Sequence, residues 1–247
     1  MSSCVAVVGA GSWGTALALQ LARLHDRVML WARDPAAATQ MQTRRCNERY
    51  LPDNLFPDAL QVTHQLDVAV TDASMILVVT PSHVFGDMLD QLRPHLADGC
   101  EVIWACKGLY EGRLLHEVFA SRMGDRHAAV LSGPNFAAEV ASGLPTATTL
   151  AAPGMALAQR GAAWFHSEEF RVYTSDDLIG VQLAGALKNV YAIACGISDG
   201  LGFGANARAA LLTRGLAELQ RLANHVGAAA DSGRVSRRWR SGADLHG

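Results

Sequence analysis

The chain has 247 residues, half of them hydrophobic and 18% charged, with a formal net charge of −2. That composition belongs to a folded chain of one large or two unequal domains, and it excludes a disordered polymer or a polyelectrolyte that meets nucleic acid or acidic membranes through overall charge. Its five cysteines (Cys4, Cys46, Cys100, Cys106, Cys195) form no C-x-x-C pair and its nine histidines show no ligand spacing, so free thiols, a reducing compartment and no metal are expected.

The first segment, "CVAVVGAGSWGTALALQLARL", reads as a short buried strand, a glycine turn and a helix with apolar residues at helical spacing. No basic stretch precedes its apolar run, so no secretory signal is expected and the cytoplasm is the expected location. "RVMLWARD" (27–34) is a second strand, and Pro35 opens the following helix where a missing N–H costs nothing. Further apolar strands follow at 75–83, 100–108 and 127–134, with helices at 82–93 and 111–122. Strands alternating with helices predict a parallel, doubly wound sheet, completed by "TATTLAA" and "FRVYTS".

After Ser175 the pattern becomes helical. One long helix is expected over 176–198, a glycine-rich turn at 199–206 and a second helix at 207–227. Leu212, Leu216, Leu219, Ala223 and Val226 fall on one face of the second helix. The stretch 178–198 is long and apolar enough to resemble a membrane span, but Gln182, Lys188, Asn189 and Ser198 interrupt it, so a buried core helix and no membrane span are expected. The last stretch, 228–247, is rich in Ser, Arg and Gly and predicts a disordered or aberrant tail. The division is therefore 1–180 for the sheet domain, 181–227 for a helical domain and 228–247 for the tail.

"GAGSWG" (9–14) fits G-x-G-x-x-G with Gly9, Gly11 and Gly14 after a strand and before a helix. In that context the glycines allow a tight turn, a close backbone approach to a pyrophosphate and close helix–strand packing. Arg33 stands at the end of the second strand, where an arginine accommodates the 2′-phosphate of NADP and an acid would hold the ribose of NAD. NADP(H) is therefore favoured, with NAD(H) open.

The chain has two lysines against nineteen arginines. Arginine stays protonated, whereas a lysine can exchange a proton, so each lysine draws attention. Lys188 lies in the most apolar helix, flanked one turn away by Ala184, Gly185, Tyr191 and Ala192; burial without a carboxylate would be costly and points to a functional role. Lys107 follows "CEVIWAC" at the carboxyl end of a strand, the edge where doubly wound sheets bind ligands. "SGPNFAAEV" (132–140) ends another strand, with Asn135 as the expected N-cap of the next helix.

Taken together, "VVGAGSWGTALA", "LWARD", "N-x-x-YLP" (47–52), "VVTPSH", "CKGL", "LSGPNFAAEVA" and "GALKNVYAIACGISDGLGFGANARAALLTRGLAE" resemble the bacterial-type NAD(P)-dependent glycerol-3-phosphate dehydrogenases. The resemblance runs in order over residues 4–219. It implies a Rossmann-like doubly wound parallel sheet followed by an all-α substrate domain, acting on dihydroxyacetone phosphate and sn-glycerol 3-phosphate. It also implies cofactor contacts at Ser12, Trp13, Arg33 and Ala137, and a lysine, Lys107, that touches both cofactor and substrate. Gly133 and Asn135 fall where the family binds glycerol phosphate, although Asn135 stands where Ser or Thr is common. Lys188 matches the catalytic general base, with Lys107 as second cation and Asn189 as an orienting amide.

The family's helical domain also supplies an Asp and a Ser-Arg-Asn element, for which "SRRWRSG" (236–242) is no convincing substitute. The expectation is a truncated or frame-shifted form with an incomplete substrate domain, its turnover weakened or lost. Two other readings stay open: a cofactor-binding protein that is catalytically silent, and a related dehydrogenase acting on a hydroxy acid. A homodimer is compatible with any of them.

Overall fold

The computed structural model describes residues 4–242, with side chains described over 4–227. The chain divides into two compact units, one ending at Leu178 and the other beginning at Ile179.

The first unit follows the order β1 (Cys4–Val8), α1 (Ser12–Ala22), β2 (Arg27–Trp31), α2 (Pro35–Arg44), β3 (Cys46–Asn47), β4 (Leu51–Leu55), β5 (Leu60–Thr63), α3 (Leu66–Val70) and β6 (Ala73–Val78). It continues with α4 (Phe85–Leu92), β7 (Glu101–Trp104), α5 (Leu115–Met123), β8 (Ala128–Ser132), α6 (Ala137–Ala141), β9 (Thr146–Ala151), α7 (Met155–Ala162) and β10 (Phe170–Ser175). Eight strands form one sheet in the order β10-β9-β8-β7-β6-β1-β2-β5, and β3 pairs with β4 in a separate antiparallel ribbon. The central strands are continuous apolar runs because helices cover both faces. Val5, Val7, Leu30 and Leu77 are fully buried, each worth about 1.5–3 kcal/mol of transfer free energy.

One pairing departs from the all-parallel expectation. β9 runs antiparallel to β8, while β10 is parallel to β9. The connection holds only the five-residue α6, which spans about 7 Å. Arg23 secures this corner by donating to the carbonyls of Val140 and Ala141, tying α1 to the last turn of α6.

The second unit is an αα-hairpin. α8 (Leu178–Gly200) and α9 (Gly204–Gly242) are joined by a three-residue turn in which Gly202 has φ +74°. Arg208 donates to Asp199 across the turn at 2.9 Å, and the Tyr191 ring lies against Gly215 so closely that a Cβ there would sit 2.6 Å from it. No proline interrupts 204–242, and α9 extends beyond the expected end at 227. The expected tail falls on residues 228–247, whose side chains, and for 243–247 also the backbone, lie outside the described residues.

The expectation of a buried core helix at 178–198 is not met. Val190, Ile193 and Ile197 are 58–63% exposed, and Lys188 and Asn189 are exposed as well. The reason is geometric: one partner helix covers only one stripe of a helix's surface, and within this unit that partner is α9. Leu212 and Leu216 on α9 are exposed for the same reason. By length and composition α8 is able to cross a membrane, with 28% of its apolar window buried.

Candidate functional site

The site is created where the sheet's ladder stops. One residue beyond each strand the backbone still pairs: Gly9 N–H to Trp31 O, Ala32 N–H to Thr63 O, Val79 N–H to Val8 O and Ala105 N–H to Val78 O, all within 2.8–3.1 Å. The chain then leaves the sheet at one level. Ala10, Arg33, Thr80 and Lys107 consequently surround a single cavity of about 1340 Å³ at the carboxyl ends of β1, β2, β6 and β7.

Three glycines shape its floor for three separate reasons. Gly9 has φ +121°, and a Cβ there would lie 2.7 Å from the Val79 carbonyl oxygen. A Cβ on Gly14 would lie 1.8 Å from the Gly9 carbonyl oxygen, so α1 crosses the loop in direct backbone contact. Gly11 has nothing within 4 Å of its Cβ position; that space belongs to whatever enters the cavity. α1 begins after Gly11 with no side-chain cap and no acid in its first turn. Its N–H groups and the positive end of its dipole are thus left to an anion.

The other donors are consistent with a dinucleotide. Trp13 lines the cavity, and its indole Nε1 is buried without a hydrogen-bond partner. A buried orphan donor is uncommon, and at a cavity wall it is open to an acceptor on a ligand. The Lys107 ammonium lies 5.8 Å from the centre of the Trp13 ring and donates to the Gly133 carbonyl at 3.4 Å. Lys107 therefore connects the glycine loop with the end of β8. Its neighbour Cys106 also lines the cavity, but burial pushes the thiol up to about 12, so it is a neutral hydrogen-bonding group rather than a nucleophile.

At the far end Arg33 is exposed into the cavity, beside Asp34. The Asp34 carboxylate is already engaged, accepting from the Ala37 N–H at 2.8 Å as the N-cap of α2. Arg49 and Tyr50 line the same end, the guanidinium 5.1 Å from the ring centre. These two, and Asn47 before them, belong to the "N-x-x-YLP" stretch. Its sequence carried the resemblance but had no assigned role; the β3–β4 ribbon brings it to the cavity.

Two family models match the chain: the N-terminal part of the NAD-dependent glycerol-3-phosphate dehydrogenases over residues 4–158, and their C-terminal part over 177–236. The chain belongs to this family. The glycerol-3-phosphate dehydrogenase [NAD(P)+] of Thioalkalivibrio sulfidiphilus (strain HL-EbGR7) is 59% identical over 227 residues, covering 91% of this chain and 68% of that protein. The protein of the same name from Erwinia tasmaniensis is 51% identical, covering 92% and 68%. The crystal structure of glycerol-3-phosphate dehydrogenase from Coxiella burnetii superposes with a TM-score of 0.86 at 45% identity, covering 92% of this chain and 70% of that one.

The family's C-terminal match begins before α8 and continues to residue 236, which makes α8 a helix of that domain rather than a membrane span. Of the residues expected in the site, Gly9, Gly11, Ser12, Trp13, Gly14, Arg33 and Lys107 line the cavity. Gly133 and Asn135 lie at the end of β8, connected to the cavity through Lys107. A Cβ on Gly133 would meet Asn135 Oδ1 at 2.7 Å and Thr148 Oγ1 at 2.9 Å, so Gly133 is needed for this close approach. Asn135 is not the N-cap expected of it: Phe136 occupies that position, and Asn135 Nδ2 instead donates to the Ala147 carbonyl at 2.7 Å. Its Oδ1 is buried without a partner. Ala137 is half-buried at the start of α6 and packs against the core. Lys188 and Asn189 stand on α8, in the helical unit. Among the described residues no group of three His, Cys, Asp or Glu side chains is placed to hold a metal ion.

Proposed function

We propose that this chain interconverts dihydroxyacetone phosphate and sn-glycerol 3-phosphate with a nicotinamide cofactor, NADP(H) in preference to NAD(H). The observation that carries the reading is membership of the dehydrogenase family across both parts of the chain. The glycine floor, the uncapped α1 and the engaged Asp34 beside a free-standing Arg33 support the cofactor choice.

The cofactor, when bound, supplies the hydride that passes between nicotinamide C4 and the substrate's carbinol carbon. The chain's own task is to place the substrate and manage one proton. Lys188 is the proposed donor to the carbonyl oxygen in reduction and acceptor from the hydroxyl in oxidation. Lys107 is the second cation, stabilising negative charge as it grows on that oxygen, and Asn189 orients the reacting group. Asn135 Oδ1, a buried acceptor without a partner, and the turn at Gly133 are proposed to receive the substrate, and Ala137 to contact the cofactor. Cytoplasmic location and homodimeric assembly complete the proposal, the latter supported by the exposed apolar residues of α8 and α9.

A second reading, cofactor binding without turnover, is favoured by the exposure of Lys188 and Asn189 on α8, which leaves both side chains solvated. The deciding experiment follows NADPH consumption with dihydroxyacetone phosphate in the wild type and Lys188→Ala. Turnover that Lys188→Ala abolishes while cofactor affinity holds is the expected result. A rate that survives the substitution refutes the assignment, and tight NADPH binding without wild-type turnover establishes the second reading.

A further inference from the structure

Asn47 does no chemistry in the mechanism proposed above, yet it is 3% exposed at a cavity wall. Its side-chain amide donates to the Ala10 carbonyl at 3.1 Å and to Thr15 Oγ1 at 2.9 Å. The assignment of nitrogen to that position is forced, because a carbonyl oxygen only accepts. Both hydrogens of Nδ2 are thereby used, one on the glycine loop and one on the first turn of α1.

The Ala10 carbonyl belongs to the peptide that also carries the Gly11 N–H. Among the described residues no peptide bond is cis, and in a trans peptide C=O and N–H point in opposite directions. Holding the Ala10 oxygen toward Asn47 therefore keeps the Gly11 N–H turned away from Asn47. Because Gly11 carries no side chain and has open space at its Cβ position, its φ offers little resistance to rotation of this peptide. Rotation would exchange a donor for an acceptor at the loop, and a carbonyl dipole facing a pyrophosphate is repulsive.

The anchor itself is well fixed. β3 pairs Asn47 with Leu51, and the Tyr50 N–H closes the turn onto the Asn47 carbonyl at 3.1 Å. On either side of Asn47, Arg45 donates to the carbonyls of Phe56 and Pro57, and Glu48 accepts from Gln40 at 2.7 Å. The ribbon is thus tied to its surroundings independently of the loop that it holds.

We propose that Asn47 is a positioning residue that locks the Ala10–Gly11 peptide in the orientation that receives the cofactor pyrophosphate. The inference rests on the cofactor reading above and assigns a function to the "N-x-x-YLP" segment. Asn47 touches no reacting atom and acts through the loop.

The test uses the full chain, titrated with NADP+ and with adenosine 2′-monophosphate, which lacks the pyrophosphate. Tryptophan fluorescence reports binding, since Trp13 lines the cavity. Asn47→Asp keeps the shape and loses the donor; its Kd for NADP+ is expected to rise about tenfold, the loss of one hydrogen bond to a binding loop. Its Kd for adenosine 2′-monophosphate is expected to stay at the wild-type value. As pH falls and the new carboxyl protonates, it regains one donor, and NADP+ affinity relative to wild type recovers in part while adenosine 2′-monophosphate affinity relative to wild type stays level; a merely structural role moves both ligands together. Asn47→Ala reproduces the neutral-pH loss without the recovery. Unchanged NADP+ affinity in both variants, or equal weakening of the two ligands, overturns the proposal. Failure of the wild-type chain to bind NADP+ at all refutes the cofactor reading instead.

Discussion

The glycines at 11 and 14 are predicted to fail in opposite ways when each is replaced by alanine. In Gly14→Ala the new Cβ would start 1.8 Å from the Gly9 carbonyl oxygen, so a backbone atom must retreat by more than an ångström. Overpacking against a side chain costs about 1–3 kcal/mol, and a backbone contact belongs at the upper end. At about 2–4 °C per kcal/mol for a chain of this size, melting should fall by about 6–12 °C. Gly11 has φ −75°, which alanine adopts without strain, and nothing lies within 4 Å of the new methyl. Gly11→Ala should melt within about 2 °C of wild type, yet bind NADP+ at least about tenfold more weakly because the methyl stands where a phosphate must approach. Differential scanning fluorimetry and cofactor titration of the two variants separate the effects. If Gly11→Ala loses stability like Gly14→Ala, or keeps full affinity, then the open space above Gly11 is not a phosphate site.

Two further outcomes follow from neighbouring residues. Arg33→Ala should raise the Kd for NADP+ about tenfold, through loss of a charge-assisted contact, while leaving NAD+ binding unchanged; titrations that weaken equally would remove Arg33 from 2′-phosphate recognition. The Cys106 thiol, held protonated to about 12 against an ordinary 9.0, contributes stability that is complete below pH 9 and lost as pH rises toward 12. The unfolded thiol ionises over that range and the folded one does not. Melting temperatures should therefore decline above pH 9 more steeply in the wild type than in Cys106→Ala; parallel declines would show that burial of this thiol is not coupled to folding.

The sheet was legible because its central strands are buried on both faces and read as unbroken apolar runs, as in "CVAVV" and "MILVV". The direction of β9 was not, since the side-chain pattern of a strand is the same whichever way the strand runs. The β3–β4 ribbon also escaped notice: "LPDNL" carries Pro52, Asp53 and Asn54 and has the composition of a loop, and its partner strand is two residues long. The glycine loop, Arg33 and Lys107 were legible because each has a chemical signature at a strand end. Asn47 was visible only as part of a motif, since an asparagine that donates to a carbonyl 37 positions away leaves no local pattern. The exposure of α8 was illegible for a different reason. An apolar helix has the same sequence whether its second face is covered or open, and what covers it is a property of neighbours.

The two lysines show why position relative to the sheet mattered more than residue type. Ala105 is still paired to Val78, so Lys107 is among the first side chains released from β7, just as Arg33 is among the first released from β2. Inside the ladder a charged side chain would face a fully buried core and would cost several kcal/mol to desolvate. A few positions further along it would be an ordinary loop residue. The narrow band between those limits is where a cation remains half-buried and connected to both the Trp13 ring and the Gly133 carbonyl. A lysine suits this band better than an arginine does, because a compact ammonium on a flexible stem can approach a carbonyl and an aromatic face without a planar fork to accommodate. Lys188 stands outside this band, exposed on α8, and the turnover experiment tests its assignment as mutation of Lys107 tests the other.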